Sequence, residues 1–237
     1  VSANPTTIYL QRSTPRRFFL VNLLCAIGFG LVVMTICLPS MPSWRGVFNA
    51  SQASVQLSFS SFVLAFGIAQ VIYGPLSDNY GRRRLLMFGV VLAALGSVAA
   101  AFASTLPALT VARFIQGAGA GAGMVIGRAV VQDNFSGADK ARVMAYIGMA
   151  MGMCAPVAIV VGGQLHVYFG WRANFVLSAV LACVLLLTTW SGLPPDAHSS
   201  ATRSHWFRDM MNAYGQLLRV PTFIAYSGIV ALSTGTF

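Results

Sequence analysis

The sequence predicts an all-α integral membrane protein. Of its 237 residues, 57% are hydrophobic and only 8% are charged, whereas soluble domains are about one quarter charged. Six apolar stretches are each long enough to form a helix of roughly 20 residues, the length that crosses the hydrocarbon core of a bilayer. So few charges cannot cover a water-facing surface, and we therefore expect six membrane-spanning helices.

The predicted spans follow one another in order, separated by short connections. They cover about residues 18–38, 53–74, 85–104, 108–131, 143–165 and 173–193. A seventh apolar stretch begins after Pro221 and runs to Phe237, so it is an incomplete seventh helix. We predict a six-helix domain over 1–193, a central loop over 194–220 and the start of the seventh helix over 221–237.

The basic residues predict the orientation of these spans. With the N-terminus inside, the cytoplasmic segments carry eleven Arg and Lys residues, while the opposite segments carry only Arg45 and Arg172. An excess of basic residues in short loops marks the cytoplasmic side. Trp44 and Trp171 then fall at the outer interface, where amphipathic indole rings prefer to lie.

Residues 194–220 form the one long polar connection and are predicted to be cytoplasmic. Within 204–219, apolar side chains recur on one helical face and polar side chains on the other. This pattern is typical of a helix that lies in the membrane interface, and it equally fits a helix packed against the protein.

The composition disfavours several other functions. The net charge is +10, but the high apolar content argues against nucleic acid as a partner. All four cysteines lie inside apolar stretches, so no disulfide framework is expected. We find no metal-ligand spacing, no nucleophile–base set and no phosphate loop, and therefore predict no enzyme, cofactor or metal site.

A polar motif interrupts the chain between the second and third spans. It fits the pattern G-x-L-x-D-x-x-G-R-[KR] at Gly74, Leu76, Asp78, Gly81, Arg82 and Arg83. Glycine permits a tight turn, and an acid near helix N-termini meets a favourable dipole. The pattern resembles the signature cytoplasmic loop between helices two and three of the major facilitator superfamily. The resemblance implies that Gly74, Asp78, Gly81 and Arg82 brace the two halves of a transporter when its site faces outward.

The fourth span contains an arginine at membrane depth. Ionisable groups there are costly and mostly functional, and Arg113 shares a helical face with Gln116. The pattern R-x-x-Q-G resembles the fourth-helix motif of the same superfamily, which places the arginine near the proton or substrate path. The alternative is an arginine whose charge reaches the interface. Asp133 ends this span at the inner face, and in some members of the superfamily an Asp there pairs with the loop arginine. The resemblance therefore implies an exposed ion pair of Asp133 with Arg82 or Arg83, worth under about 1 kcal/mol.

Small and polar residues form a stripe along the second span. Gln56 and Ser60 begin this stripe, and Gly74 ends it. The stripe is interpreted either as a packing or sliding surface between helices or as the wall of a polar pathway.

The fifth span is rich in glycine and proline, at Gly152, Pro156, Gly162 and Gly163. It resembles the fifth-helix motif of antiporter members of the superfamily, although the proline usually stands where this chain has Ile159. Proline inside a helix frees a backbone carbonyl, so a kink is expected at Pro156.

The amino-acid sequence resembles that of the bicyclomycin-resistance-type (Bcr/CflA) drug exporters in four segments, residues 38–42, 55–78, 113–133 and 219–237. The resemblance covers nearly the whole chain but only about half of such a protein, its N-terminal half. Those exporters commonly carry an acid where this chain has Thr35, and no acid lies at mid-membrane depth in the six spans. Arginine cannot carry the proton, and His166 is interpreted as an interface residue, so the coupling site stays open.

The resemblance implies a bacterial inner-membrane drug:proton antiporter that exports amphiphilic compounds by alternating access. Its implied partners are a drug-like molecule, protons, membrane lipid and the missing C-terminal half. Two alternatives are a truncated membrane fragment without transport activity, and an importer that draws an anionic metabolite towards Arg113.

Overall fold

The structure, a computed structural model, describes residues 16–193 together with Met211 and Gly215. Within these residues every regular element is a helix. The helices are α1 (Arg16–Thr35), a 3₁₀ turn (Leu38–Ser40), α2 (Met41–Val47), α3 (Gln52–Tyr80), α4 (Arg82–Ala101), α5 (Leu106–Asn134), α6 (Gly137–Phe169) and α7 (Arg172–Gly192). Six of the described helical stretches are long and apolar enough to cross a membrane. The prediction of an all-α protein with six spans is therefore confirmed.

Several helices begin or end away from the predicted bounds; α6, for example, covers Gly137–Phe169 where 143–165 was predicted. The short helix α2 continues the first span beyond its predicted end. Helix α3 runs to Tyr80, although the predicted span stops at residue 74, and Pro75 lies inside it. The side-chain amide of Asn79 donates to the Pro75 carbonyl at 2.9 Å. A proline removes one backbone donor, and here the helix continues for more than a turn beyond it.

The connections are short and have identifiable start and stop signals. The hydroxyl oxygens of Ser51 and Thr105 accept hydrogen bonds from the backbone N–H groups of Ser54 and Ala108, which caps α3 and α5. Gly81 joins α3 to α4 with a φ of 97°, which favours glycine because it has no Cβ.

The helices alternate in direction, so their ends form two groups. The end that carries Arg82–Arg84, the start of α1 and the end of α7 is called the arginine end. The opposite end, where Trp44 contacts Trp171 with ring centroids 5.9 Å apart, is called the tryptophan end.

Helix α5 lies at the centre of the bundle. Of its most apolar window 67% is buried, against 17% for α6. Helix α5 packs against α3, α4 and α1. Helix α6 packs mainly on α1, whereas α7 packs mainly on α4 and also contacts α1. The core accordingly forms around α5, and α6 keeps most of its surface open.

Helices α3, α4 and α5 form what we call the glycine-packed group. A Cβ atom added to Gly117 would overlap the carbonyl of Phe62 on α3, and one added to Gly119 would overlap the backbone of Ala93 on α4. A Cβ at Gly96 would overlap the backbone of Gln116. Small residues let helix backbones approach closely in lipid, so these glycines set the spacing of the group.

Helices α1, α6 and α7 form what we call the open group. At the tryptophan end α1 and α6 touch, because a Cβ at Gly162 would overlap the Ile36 carbonyl. Nearer the arginine end, a Cβ at Gly148 or Gly152 would meet nothing within 4 Å in the part of the chain that is described. Cys154 of α6 also lies against Gly28 of α1, so α6 contacts α1 through Gly162 and Cys154 but not through the face that carries Gly148 and Gly152.

The two tryptophans predicted at the outer interface are buried inside the bundle instead. Trp44 is 0% exposed and Trp171 only 6%. Phe175 lies 6.0 Å from each ring, so the indoles pack in an aromatic cluster rather than facing headgroups. An exposed tryptophan lies at the other end of the bundle, where Trp190 of α7 is 67% exposed.

The predicted central loop (194–220) and seventh helix (221–237) lie outside the described residues, apart from Met211 and Gly215. Both of these are helical.

Candidate functional site

Arg113 lies inside the bundle, about 10 Å from the start of α5 at 1.5 Å per residue. It is 1% exposed. Its guanidinium donates to the α1 carbonyls of Val33 at 3.1 Å and Met34 at 3.5 Å. The guanidinium carbon also stands 4.2 Å from the ring centroid of Phe62, which is a cation–π distance.

A chain of hydrogen bonds continues from this arginine into α4. Arg113 donates to the side-chain oxygen of Gln116 at 2.7 Å, and the Gln116 amide donates to the Ser97 hydroxyl at 2.7 Å. The Ser97 hydroxyl then donates to the Ala93 carbonyl, also at 2.7 Å. The predicted pair of Arg113 and Gln116 thus joins α1, α4 and α5 through polar contacts.

The buried charge is held without a carboxylate partner among the described residues. The Nε atom of Arg113 is buried and has no hydrogen-bond partner within residues 16–193. A buried cation is costly unless its donors are satisfied, and here carbonyl oxygens, an amide oxygen and an aromatic face take the place of an anion. Arg113 therefore faces the interior of the bundle rather than its surface.

Thr35 lies beside this site but does not bond to it. Its hydroxyl donates to the Leu31 carbonyl of its own helix at 2.8 Å, and the residue is 6% exposed. It follows Met34, whose carbonyl contacts Arg113. A threonine hydroxyl in this arrangement packs and bends the helix slightly, and it does not titrate.

The polar motif at the α3–α4 turn forms a compact cluster at the arginine end. Arg82 lies 2.5 Å from the Asp78 carboxylate on α3 and 3.1 Å from the Asp133 carboxylate at the end of α5. It also donates to the hydroxyl of Ser77, which itself donates to the Gly74 carbonyl at 2.8 Å. Asp78 and Asp133 are 59% and 52% exposed, so water screens both pairs.

The sequence left open which arginine contacts Asp133. In the structure this is Arg82. Arg83 instead donates to the Trp190 carbonyl and lies 5.3 Å from the ring centroid of that tryptophan. The consecutive arginines therefore connect α4 to different helices, Arg82 to α3 and α5, and Arg83 to α7.

The other predicted site residues lie on open surfaces. Gln56 and Ser60 are exposed on α3, on a different face from Ser61, whose hydroxyl donates to the Thr110 carbonyl of α5 at 3.2 Å. On α6, Gly152 and Pro156 are exposed and Gly163 is half-buried, whereas Gly162 packs on α1. The structure does not bring these residues to Arg113 or to the Arg82 cluster.

One charged residue on an open surface was expected from the sequence near the Asp78–Arg82 turn but was given no functional role. Arg128 is exposed on α5 and donates to the thioether of Met151 on α6 at 3.4 Å. At 100° per residue it falls within about 40° of exposed Phe114 and Gln132. The sequence shows that Arg128 shares a helical face with Phe114 and Gln132. It does not show that this face is exposed, because that depends on which side of α5 is buried.

The remaining chemistry of the described chain is limited. Its carboxylates, Asp78, Asp133 and Asp139, all lie at the arginine end. The four cysteines are free thiols. Among the described residues, no three His, Cys, Asp or Glu side chains come together to hold a metal ion.

The fold is therefore that of a polytopic membrane protein, with six apolar helices, a buried arginine and a charged turn at one end. Residues 17–237 match the family described as the Major Facilitator Superfamily. The chain belongs to this superfamily. Members of this family are transporters, in agreement with the prediction that the chain is not an enzyme.

Several relatives have names that refer to drug resistance. "Drug efflux pump JefA" of Mycobacterium tuberculosis (strain ATCC 25618 / H37Rv) is 31% identical over 226 residues, covering 92% of this chain and 42% of that protein. "Multidrug resistance protein D" of Escherichia coli (strain K12) is 25% identical, covering 83% of this chain and 50% of that protein. The chain thus spans about half the length of the relatives it matches.

A solved structure shares the fold. The peptide transporter POT in complex with sulfate superposes with a TM-score of 0.71 over 99% of this chain and 51% of that chain, at 17% sequence identity. At this identity the likeness concerns the arrangement of the helices alone.

Proposed function

We propose that the chain forms the N-terminal half of a drug:proton antiporter in a bacterial inner membrane, with the arginine end in the cytoplasm. The transporter exports amphiphilic compounds by alternating access, and its second half completes the central site. The names of the relatives support a drug-like cargo, and the basic residues at the arginine end support the orientation.

The observation that carries this proposal is the position of Arg82. A single guanidinium contacts carboxylates on α3 and α5 next to the tight turn at Gly81. Each exposed pair is worth under about 1 kcal/mol, so the cluster is too weak to hold the bundle together. It is strong enough to bias an equilibrium between two conformations that are close in free energy.

Arg113 has a different part in this proposal. Its bonds to α1 carbonyls and, through Gln116, to α4 fasten the helices to one another. A half that is fastened internally moves as one body against its partner, which is how alternating access operates in transporters built from repeats. The arginine is thus a positioning residue of the pathway rather than a group that meets the cargo.

Proton coupling needs a group that titrates within the pathway. Since the carboxylates of residues 16–193 all lie at the arginine end, we place the proton carrier in the second half of the transporter. An acid at position 35, where the exporters that the chain resembles commonly have one, is then not needed, because a residue of the second half carries the proton.

The test is drug accumulation in efflux-deficient bacteria that express the complete gene, before and after the proton gradient is collapsed. Cells should retain less of a fluorescent amphiphile while the gradient is present. Asp133→Asn, which removes the contact between helices, should slow export severalfold.

Arg142→Gln is the control, because Arg142 is also an exposed charged residue at the arginine end and pairs within α6, with Asp139 at 3.6 Å. Export should be unchanged in this variant. Equal export by Asp133→Asn and the wild type would remove the Arg82 cluster from the mechanism, and gradient-independent accumulation would refute antiport.

Arg128 favours a second candidate, an importer of an anionic metabolite. An exposed guanidinium on a spanning helix suits a carboxylate or phosphate cargo better than Arg113 does, because Arg113 is buried in the bundle. Uptake of a labelled anion that is lost in Arg128→Gln, with no effect on drug accumulation, would favour this candidate.

A further inference from the structure

The open group contains a crevice that the transport proposal does not use. Its volume is about 370 Å³. The floor is α1, from Phe18 to Val32, and the walls are α6 and α7. Over these α1 residues the crevice extends about 21 Å at 1.5 Å per residue, which is more than half of the roughly 30 Å hydrocarbon core of a bilayer.

The crevice lies where α1 and α6 touch at separate points. They touch where Gly162 packs on Ile36 and again where Gly28 packs on Cys154, since a Cβ at Gly28 would lie 2.7 Å from the Cys154 sulfur. Gly28 and Cys154 both line the crevice, so this contact is part of its wall. From there the lining residues of α1 and α7 extend towards the arginine end, to Phe18 and Thr188.

The lining is almost entirely apolar. Its polar side chains are Asn22 and Thr188, and these bond to each other at 2.8 Å. Sites for polar small molecules combine apolar walls with polar groups that converge on the ligand. Here the polar groups satisfy one another, so the groove suits a flexible hydrocarbon chain better than a molecule with charged or hydrogen-bonding groups.

The residues around the crevice indicate which kind of molecule it would bind. Its rim continues into exposed apolar residues, Val21 at 57% and Val184 at 51%. Exposed apolar surface on a membrane-spanning helix is suited to contact with lipid chains. At the arginine end, exposed Arg17 directly precedes Phe18, the first α1 residue of the lining. A cation next to the end of an apolar groove complements the phosphate of a headgroup.

We propose that this crevice is a phospholipid site, in which one acyl chain from the leaflet at the arginine end lies along α1 between α6 and α7. The phosphate of the same lipid lies beside Arg17. The bound chain fills the space that the looser packing of the open group leaves, and it does not enter the central pathway. The inference does not depend on which cargo the protein carries.

The test uses the complete gene product in vesicles of phosphatidylethanolamine and phosphatidylglycerol, doped with a phospholipid that carries a diazirine in its acyl chain. After irradiation and digestion, mass spectrometry locates the labelled peptides. Peptides with Cys25 and Cys154 should be labelled more heavily than the α4 peptide with Leu95, which is 61% exposed and lies outside the crevice.

Two variants of α6 test whether the labelling comes from lipid bound in the crevice. Ala150→Phe places a ring in the crevice and should reduce the labelling roughly tenfold, the effect of losing contact with about two methylene groups. Met149→Phe is the matched control, because Met149 is 60% exposed and does not line the crevice. Labelling in that variant should stay at the wild-type level.

Arg17→Gln provides a variant that leaves the packing intact. It should reduce the labelling about fivefold, the effect of one basic residue near an anionic headgroup. The proposal is overturned if crevice peptides are labelled no more than the Leu95 peptide, or if Ala150→Phe and Arg17→Gln both leave the labelling unchanged. Labelling by a diazirine analogue of a transported drug, or cross-links from Cys25 to residues 204–219, in place of lipid labelling would overturn it equally.

Discussion

The glycine-packed group and the open group contain similar numbers of glycines in their helices but use them differently. In α3, α4 and α5, Gly117 and Gly119 lie against backbone atoms of neighbouring helices. In α6, Gly148 and Gly152 face space in the described chain, and a crevice of about 370 Å³ lies along α1. A glycine-rich helix therefore does not by itself define a packing seam.

The difference in packing between the two groups indicates which part of the bundle is rigid. Helices in lipid associate through close packing and polar contacts, since lipid is as apolar as their side chains. The glycine-packed group has both. Gln116 of α5 donates a hydrogen bond to Ser97 of α4, directly beside the close contact between Gly96 and Gln116. At the arginine end the open group has a polar contact between Asn22 and α7 and a close contact between Gly192 and Phe18, but a crevice lies beside them. We expect it to be the adaptable side.

The largest expected effect comes from adding one methyl group to each region. Gly117→Ala should lower the free energy of unfolding by about 2–3 kcal/mol, because the new Cβ overlaps the Phe62 carbonyl. Gly152→Ala should raise it by up to about 1 kcal/mol, because alanine favours helix and meets no obstacle in the described chain. Equilibrium denaturation of the complete gene product in detergent micelles measures both.

Gly152→Ala is also the control, since the two substitutions are chemically identical. Equal losses of stability would show that another segment closes the open face of α6, and the contrast between the two groups would then fail.

An intermediate effect is expected at the buried arginine. Arg113→Lys should cost about 2 kcal/mol, because an ammonium group cannot serve Val33 and Gln116 in the same planar geometry and leaves buried acceptors unpaired. Arg128→Lys on the exposed face of the same helix should change stability by under about 0.5 kcal/mol. Thermal unfolding of the two variants side by side checks this, and similar melting shifts would contradict the central role of Arg113 in packing.

The smallest expected effect concerns the polar contact of the open group. A double-mutant cycle on Asn22→Leu and Thr188→Val should give a coupling free energy of about 0.6 kcal/mol, typical of hydrogen bonds between membrane helices. The contact measures 2.8 Å in the structure. Strictly additive effects of the two substitutions would mean that the Asn22–Thr188 hydrogen bond does not help to hold α1 and α7 together, which leaves the longer 3.5 Å contact of Asn22 with Thr189 and apolar packing.

Part of the candidate site was predictable because its pattern is local. The turn at Gly81 needs a residue that tolerates a positive φ, and the sequence contains glycine there. The proximity of Asp133 to the Arg82–Arg83 pair followed from counting spans, since α3 and α5 end on the same side. The sequence did not show which of Arg82 and Arg83 contacts Asp133. Adjacent side chains on a helix point about 100° apart, and the sequence does not show which helix each of them faces.

Tertiary packing also reversed one expectation about aromatic residues. Trp44 and Trp171 have the sequence positions of interface residues, yet they contact each other and Phe175 in the core. Burying large rings against one another provides more contact than a headgroup does, and the short helix α2, which was not predicted, places Trp44 where this is possible.

The sequence by itself determined the six spans, their order, the charged turn and membership of a family. These follow from local properties, because in lipid each segment must satisfy its own backbone hydrogen bonds and an apolar stretch of sufficient length has only the helix available. The tertiary structure alone decided that Arg113 faces α1 carbonyls and an aromatic ring, that Arg128 is exposed, and which glycines are covered. Those outcomes depend on how each helix is rotated about its axis against its neighbours, and the composition of a single helix does not specify that rotation.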